Sequence, residues 1–224
     1  MDSPGVWVEP LTTLSSEGLA GPEWEQEIRL RAADVATLEA MLIDLGTRPG
    51  ACVLDRAYED RYLDGRDRPL LRARLAVRVR RCVSGDWLEI KGEGVCSAGV
   101  WQRPEWRQPG VLEWLGEVDE LADGPVRQML MRHLSAGVRL EELFVCAIQR
   151  QEVHLTADRI AVCLDHGVVR TAQRQYVLTE VELEQRGAAR SALTAWAEQL
   201  TDRYGLLPAP HSKFRIGLSL LEQE

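Results

Sequence analysis

The sequence lacks the features that mark membrane, secreted or zinc-binding proteins. No apolar run approaches the roughly 18 residues that a transmembrane helix requires, and no basic segment followed by an apolar stretch indicates a secretion signal. The 5 cysteines form no C-x-x-C pair, and the 4 histidines do not have the spacing of zinc ligands. We therefore expect a cytoplasmic protein with reduced thiols, no membrane partner and no zinc site.

The sequence also lacks an excess of positive charge. Its 224 residues carry a formal net charge of −8 at pH 7, which disfavours nucleic acid as a partner of the whole surface. It contains no short-period repeat, no low-complexity tract and no segment long enough to link two domains. Because residues 1–21 are rich in proline, glycine, serine and threonine, we predict a flexible N-terminal extension at 1–21 and a single domain at 22–224.

What the sequence does contain is a row of arginines at alternate positions. With a period of two, residues 70–80 form a predicted strand with aliphatic side chains on one face and cations on the other. The cationic face carries Arg72, Arg74, Arg78 and Arg80. Alternate residues of a strand lie about 6.6 Å apart, where two positive charges repel by about 2–3 kcal/mol at an effective dielectric of about 20. Such a row is favourable only beside carboxylates, an anionic ligand or open water.

Other predicted strands also separate charged from aliphatic side chains. Residues 24–32 and 177–185 form strands with an acidic or mixed charged face, and residues 145–155 form a strand with a further arginine. The charged positions are Glu25, Glu27, Arg29, Arg31, Arg150, Glu180, Glu182 and Glu184. Residues 159–165 alternate in the same way, and we expect His166 and Gly167 to form a hairpin turn after them.

The sorting of charges between strands bears on the fold. In a β-sandwich the charged faces would simply contact water, but solvent-facing strands usually mix both signs with serine, threonine and amides. Here some strands are cationic and others anionic, which indicates charged faces that look at each other. We predict an α+β protein in which a closed antiparallel β-barrel has a charged lumen and helices packed outside. Acidic strands suit a divalent cation and basic strands suit a polyanion, so the pattern favours a metal and polyphosphate site.

Seven short motifs follow one another along the chain. They are EQEIR at 25–29, DRYLDGRDRPLLRARLAVRVR at 60–80, WLEIKG with Lys91, RPE with Arg103, IAVCLDHG with Asp165, TEVELE at 179–184 and SKF with Lys213. In this order they resemble the CYTH superfamily, also called the triphosphate tunnel metalloenzymes, whose opening signature is Glu-x-Glu-x-Lys. The similarity covers nearly the whole chain. QRPEW and a long central helical segment look most like the bacterial inorganic triphosphatase branch, without the CHAD domain that often accompanies it.

The resemblance implies a tunnel of eight antiparallel strands that hydrolyses a small-molecule triphosphate with Mg²⁺ or Mn²⁺. The implied metal ligands are Glu25, Glu27, Asp165, Glu180, Glu182 and Glu184. The implied phosphate-binding residues are Arg29, Arg31, Arg72, Arg74, Arg78, Arg80, Lys91, Arg103, Arg150 and Lys213. The implied catalytic residues are Glu25, Glu27, Arg29 and Glu182. Relatives of this fold lead us to expect a monomer or homodimer.

Two departures from the family pattern keep alternatives open. Arg29 stands where the opening signature has lysine, and a register shifted by two residues, Glu27-x-Arg29-x-Arg31, would lose a metal-site glutamate. Gly65 stands where the family has threonine after the turn aspartate. Inorganic triphosphate is the favoured substrate. The alternatives are a nucleotide or thiamine triphosphatase, an adenylate cyclase, or a module that binds polyphosphate or a nucleotide without turnover.

Overall fold

A closed antiparallel sheet forms the centre of the protein. The computed structural model describes residues 21–110 and 117–224, so the predicted extension at 1–21 lies, apart from Gly21, outside the described residues. The described strands are β1 Glu23–Arg31, β2 Ala51–Gly65, β3 Ala76–Cys82, β4 Gly85–Lys91, β5 Val95–Ser97, β6 Val100–Pro109, β7 Leu140–Leu155, β8 Ile160–Arg170, β9 Gln175–Gln185 and β10 Leu207–Pro208. The described helices are α1 Val35–Gly46, α2 Pro69–Arg72, α3 Pro125–His133, α4 Arg190–Tyr204 and α5 Lys213–Leu221, with a 3₁₀ turn at Val118–Glu120.

Eight of the strands close into a barrel. Their order around the ring is β1-β9-β8-β7-β2-β3-β4-β6, and β6 pairs again with β1, where Glu25 lies opposite Arg103. The short strands β5 and β10 add to β6 and β1, respectively. The predicted α+β class and the closed eight-stranded antiparallel barrel are therefore confirmed.

Helices cover the apolar outside of the barrel. α1 and α4 share a core with the outward side chains of β1 and β9, such as Ile28 and Leu183. A second core joins α3 to β3 and β4 through Leu130, Val79 and Ile90. Among the described helices, none combines the length and the apolar character that a membrane span requires. Burial of these outward faces leaves the charged faces to line the lumen.

Helix α5 packs across one end of the barrel. Its Phe214 lies against Tyr62 and Phe144, with ring centroids 5.4 and 6.0 Å away, and those two rings stack on each other at 4.7 Å. The close approach depends on Gly217, because a Cβ there would overlap the Phe144 ring. One end of the lumen is therefore apolar and filled.

The predicted strand at 70–80 is wrong at its beginning. A proline starts the single-turn helix α2, and the Asp64 carboxylate accepts a hydrogen bond from the Leu70 N–H at 2.9 Å. β3 begins only after this turn, so Arg72 and Arg74 lie exposed and do not share the inner face of the strand.

The predicted turn at His166 and Gly167 is also wrong. β8 continues without a break to Arg170, and Gly167 lies opposite Ile148 of β7. A Cβ at position 167 would overlap the carbonyl oxygen of Ala147. The glycine therefore permits two strands to approach closely. The local sequence does not distinguish a glycine that serves such a contact from one that forms a turn.

Candidate active site

Strand β1 brings acidic and basic side chains into the lumen. Glu27 and Arg29 are only 1% and 6% exposed, whereas Arg31 at the end of the strand is exposed. β9 runs alongside with Glu182 opposite Arg29. Glu25 and Glu27 point to this interior, because Ile28 and Leu30 on the opposite face of the strand pack under the outer helices.

Three carboxylates from β8 and β9 meet inside the barrel. Oxygens of Asp165, Glu180 and Glu182 lie within 4.8 Å of one another, and all three residues are buried. Carboxylate oxygens are the ligands that Mg²⁺ and Mn²⁺ prefer, so this donor set fits such an ion. Of the predicted metal ligands, Glu25, Glu27 and Glu184 lie outside this cluster.

The ammonium group of Lys213 lies among these three carboxylates. Its Nζ donates to Glu180 and, at 2.7 Å, to Glu182, and it is 2.9 Å from an oxygen of Asp165. Lys213 is the first residue of α5 and is 6% exposed. In this structure the lysine therefore provides the positive charge that the acidic cluster requires.

The pKa values of Glu180 and Glu182, two glutamates on the same face of β9, are shifted in opposite directions. Burial raises the pKa of Glu180 to about 7, with a further contribution from the charge of Glu182. Burial acts in the same sense on Glu182, but Lys213 and Arg150 outweigh it and hold the pKa of Glu182 well below its ordinary value. The cluster therefore combines a carboxylate that stays ionised with one that holds a proton near neutral pH.

The glutamates of β1 are paired with cations from β4 and β6. The Glu25 carboxylate accepts hydrogen bonds from Lys91 at 2.8 and 2.9 Å and from Arg103 at 2.6 Å. Arg103 also donates to Glu27 at 2.8 Å. Burial favours protonation of both, but Lys91 and Arg103 lower the pKa of Glu25. Burial and the charge of Glu25 raise the pKa of Glu27 to about 7.

The arginines of β3 are held by carboxylates of neighbouring strands. Asp60 accepts from Arg80 at 2.7 and 2.8 Å and from Arg78 at 2.9 Å. Arg78 also donates to Glu89 at 2.6 Å. The repulsion within the arginine row is therefore offset by buried carboxylates, one of the three possibilities open from the sequence.

Arg150 joins the basic and acidic walls. It forms two parallel hydrogen bonds with Asp165, at 2.6 and 2.7 Å, which is the bidentate geometry typical of arginine and a carboxylate. It also donates to Glu182 and, at 3.1 Å, to Glu184. Removing this guanidinium would leave Asp165 and Glu182 with Lys213, and Glu184 with Arg186, as their remaining cationic partners.

Arg29 differs from the other lumen arginines. Its Nε and Nη1 atoms are buried and have no hydrogen-bond partner among the described residues. Its guanidinium lies 4.8 Å from the ring centroid of Trp101, and its Nε is 3.5 Å from a Glu27 oxygen. Buried donors without acceptors are rare in folded proteins, so Arg29 presents donors that a bound anion can satisfy.

The structure separates the predicted site residues into two groups. The lumen contains Glu25, Glu27, Arg29, Arg78, Arg80, Lys91, Arg103, Arg150, Asp165, Glu180, Glu182, Glu184 and Lys213. Arg31, Arg72 and Arg74 are exposed, and Arg74 pairs with Glu93 at 2.5 Å. Exposure to water removes most of the electrostatic advantage of a phosphate-binding cation.

Sequence reasoning missed Tyr58, Asp60 and Glu89, which are 7%, 0% and 2% exposed. Asp60 and Glu89 are the partners that keep the β3 arginines inside the barrel. For Glu89 a signal was present, since it alternates along β4 with Lys91, a residue already predicted to bind phosphate. Tyr58 and Asp60 lie on β2, where the sequence had placed no site residue.

Comparison with known proteins identifies the class of fold. A family model for the CYTH domain matches residues 22–216. No curated protein sequence matches the chain. The chain is similar in structure to a candidate adenylyl cyclase from Hippeastrum described as having a dominant triphosphatase activity, with a TM-score of 0.66 and 15% identity over 87% of this chain and 95% of that one.

Two further solved structures show the same fold. A candidate adenylate cyclase from Bacillus halodurans has a TM-score of 0.59 and 17% identity, over 84% of this chain and 95% of that one. The Mimivirus capping enzyme triphosphatase has a TM-score of 0.50 and 10% identity, over 80% of this chain and 88% of that one. At such identities the similarity concerns the fold alone.

Proposed function

The chain belongs to the CYTH family, and from that premise we propose that it is a hydrolase that cleaves a triphosphate with the help of Mg²⁺ or Mn²⁺. Inorganic triphosphate is the proposed substrate, as in the bacterial inorganic triphosphatase branch. The triphosphatase activity ascribed to the Hippeastrum and Mimivirus proteins supports the reaction class.

One observation carries the proposal. Three buried carboxylates within 4.8 Å of one another share a closed lumen with Arg29, a buried arginine whose Nε and Nη1 lack hydrogen-bond partners among the described residues. The first group suits a divalent cation and the second suits an anion. A metal-bound polyphosphate satisfies both at once.

Each wall of the lumen has a role in this proposal. Asp165, Glu180 and Glu182 would hold the metal, with Glu25, Glu27 and Glu184 acting through water. The metal would neutralise charge on phosphate oxygens. The cations that would bind phosphate oxygens and stabilise the leaving diphosphate are Arg29, Arg78, Arg80, Lys91, Arg103, Arg150 and Lys213.

Glu27 is the proposed residue that orients water for in-line attack on the terminal phosphorus. Its carboxylate is buried and already holds Arg103 at 2.8 Å, so its position is restrained. Its pKa, raised to about 7, suits a group that accepts a proton near neutral pH.

The distribution of aromatic side chains supports an inorganic substrate over a nucleotide. A base needs an apolar or aromatic surface, but Tyr62, Phe144 and Phe214 already pack together under α5. The Trp101 ring is covered by the Arg29 guanidinium. The charged surfaces of the lumen complement phosphate groups instead.

We also propose that residues 22–224 act as one domain, which the single closed sheet supports.

The experiment is to measure phosphate release from inorganic triphosphate, ATP and thiamine triphosphate, each with Mg²⁺, Mn²⁺ or EDTA. We expect metal-dependent turnover of inorganic triphosphate, and loss of roughly 100-fold in kcat for Glu182→Gln. Glu198→Gln, a matched change at an exposed position of α4, should leave the rate unchanged. No turnover of any substrate, with inorganic triphosphate still raising the melting temperature, would replace the hydrolase by a binding protein.

A further inference from the structure

Tyr58 occupies a central position in the basic half of the lumen. It lies on β2 between two strands that supply arginines, opposite Cys82 of β3 and Ile148 of β7. It alternates with Asp60 and so shares the inner face of the strand. No motif in the sequence marks this tyrosine.

Two guanidinium groups lie on the Tyr58 ring. The Cζ atom of Arg80 is 3.9 Å from the ring centroid, and that of Arg150 is 5.7 Å away. Each arginine is held on its other side by two hydrogen bonds to an aspartate, Asp60 for Arg80 and Asp165 for Arg150. The ring therefore sets the position of two arginine–aspartate pairs that come from different strands.

The Tyr58 hydroxyl has no hydrogen-bond partner among the described residues, although the side chain is only 7% exposed. Leaving such a group unsatisfied costs on the order of 1–3 kcal/mol. The carboxylates of Asp60 and Asp165, which hold these two arginines, are already engaged by Arg80 and Arg150. The hydroxyl therefore requires an acceptor that the described residues do not supply.

Burial keeps the Tyr58 hydroxyl protonated. It raises the pKa of the phenol above its ordinary value, so the group serves as a hydrogen-bond donor. Arg80 of β3 and Arg150 of β7 place two positive charges beside the ring. An anionic oxygen in the middle of these groups is the complementary partner.

We propose that Tyr58 is a substrate-binding residue, whose hydroxyl donates a hydrogen bond to a non-bridging phosphate oxygen while its ring positions Arg80 and Arg150 on the same anion. This inference rests on the proposed function, because it assigns the acceptor to the triphosphate. It adds to the cationic ligands a neutral donor.

The test compares Tyr58→Phe with Tyr204→Phe. Tyr204 is the matched control, since its hydroxyl donates to Asp44 at 2.9 Å on the outside of the barrel. Binding of inorganic triphosphate is measured by calorimetry, with Mg²⁺ and with EDTA, and the melting temperature of each ligand-free variant is recorded. We expect Tyr58→Phe to weaken binding about 10-fold or more and to leave the ligand-free melting temperature unchanged or higher. Tyr204→Phe should lower that temperature and leave binding unchanged.

The possible failures are distinguishable. If wild-type protein does not bind inorganic triphosphate, the proposed function fails and the role of Tyr58 fails with it. If wild-type protein binds but Tyr58→Phe binds within twofold as tightly, only the role of Tyr58 is overturned. A melting temperature of Tyr58→Phe that falls as far as that of Tyr204→Phe would also overturn it, because the hydroxyl would then already be bonded within the folded protein.

Discussion

The two parts of the barrel interior are built on the same strands but with opposite chemistry. At the end covered by α5, Tyr62, Phe144 and Phe214 form an aromatic cluster. Further along β7 the same inward face carries Arg150, and charged residues replace aromatic ones. Apolar burial stabilises the first region, whereas burial of charge makes the second costly unless each group is paired or bound. One end of the lumen therefore stabilises the fold, and the fold holds the charged groups of the other end in a reactive arrangement.

The largest effect is expected from breaking the apolar end. Phe144→Ala should lower the free energy of unfolding by about 3–5 kcal/mol, because the ring is 2% exposed and packs against two other rings. Denaturant unfolding measures the change, and Val83→Ala at a fully exposed position provides the control. A loss below about 1 kcal/mol would show that α5 does not depend on this cluster.

A smaller effect is expected from acid on the charged part. Burial alone would raise the pKa of Glu89, but Arg78 and Arg80 outweigh it and lower the pKa to about 2. A folded-state pKa below the unfolded value means that the carboxylate stabilises the fold above about pH 4.5 and that this contribution is lost as pH falls towards 2. The size of this contribution is about 3 kcal/mol.

Comparison with Glu89→Gln isolates that contribution. The difference in unfolding free energy between wild type and this variant should be greatest above about pH 4.5 and should shrink as the solution is acidified. Denaturant unfolding at a series of pH values measures it. A difference that does not change between pH 5 and pH 3 would contradict an ionised Glu89 in the folded protein.

Lys213 links the two regions, because its backbone begins α5 and its ammonium group lies in the acidic cluster. Because its ammonium occupies the position of positive charge there, Lys213→Gln should bind Mn²⁺ about 10-fold more tightly while binding inorganic triphosphate more weakly. Calorimetric titration with Mn²⁺ and, separately, with inorganic triphosphate measures the two affinities. Arg215→Gln, an exposed change on the same helix, is the control. Metal affinity that is unchanged or lower in Lys213→Gln would contradict competition between the lysine and the ion.

The smallest effect is expected outside the lumen. Arg74→Ala removes an exposed arginine paired with Glu93 and should leave kcat/KM for inorganic triphosphate unchanged. Arg78→Ala, four residues further on and within β3, should lower kcat/KM strongly because Arg78 is buried. Equal losses of kcat/KM in the two variants would indicate that Arg74 also faces the lumen, as the predicted strand at 70–80 requires.

Local sequence was sufficient wherever a period of two was unbroken. The inward positions of β1 and β9, such as Glu27 and Glu182, follow directly from alternation, and so does the separation of charged from aliphatic faces. Local sequence was insufficient where the same residue type suits two different local structures. At Gly167 a glycine could serve a turn or a close strand contact, and the neighbouring carbonyl of Ala147 decides between them.

Alternation along the chain predicted the inward faces of β7 and β9 and the closed charged barrel, and the order of short motifs predicted the family. Which charges meet inside the barrel depends on how the strands and α5 come together. Lys213 contacts Asp165, the Arg29 guanidinium lies over the Trp101 ring, and Tyr58 lies beside Arg80 and Arg150, so these contacts join residues far apart in sequence. Such contacts depend on barrel closure and on the placement of α5, which the short-range pattern of any single strand does not specify.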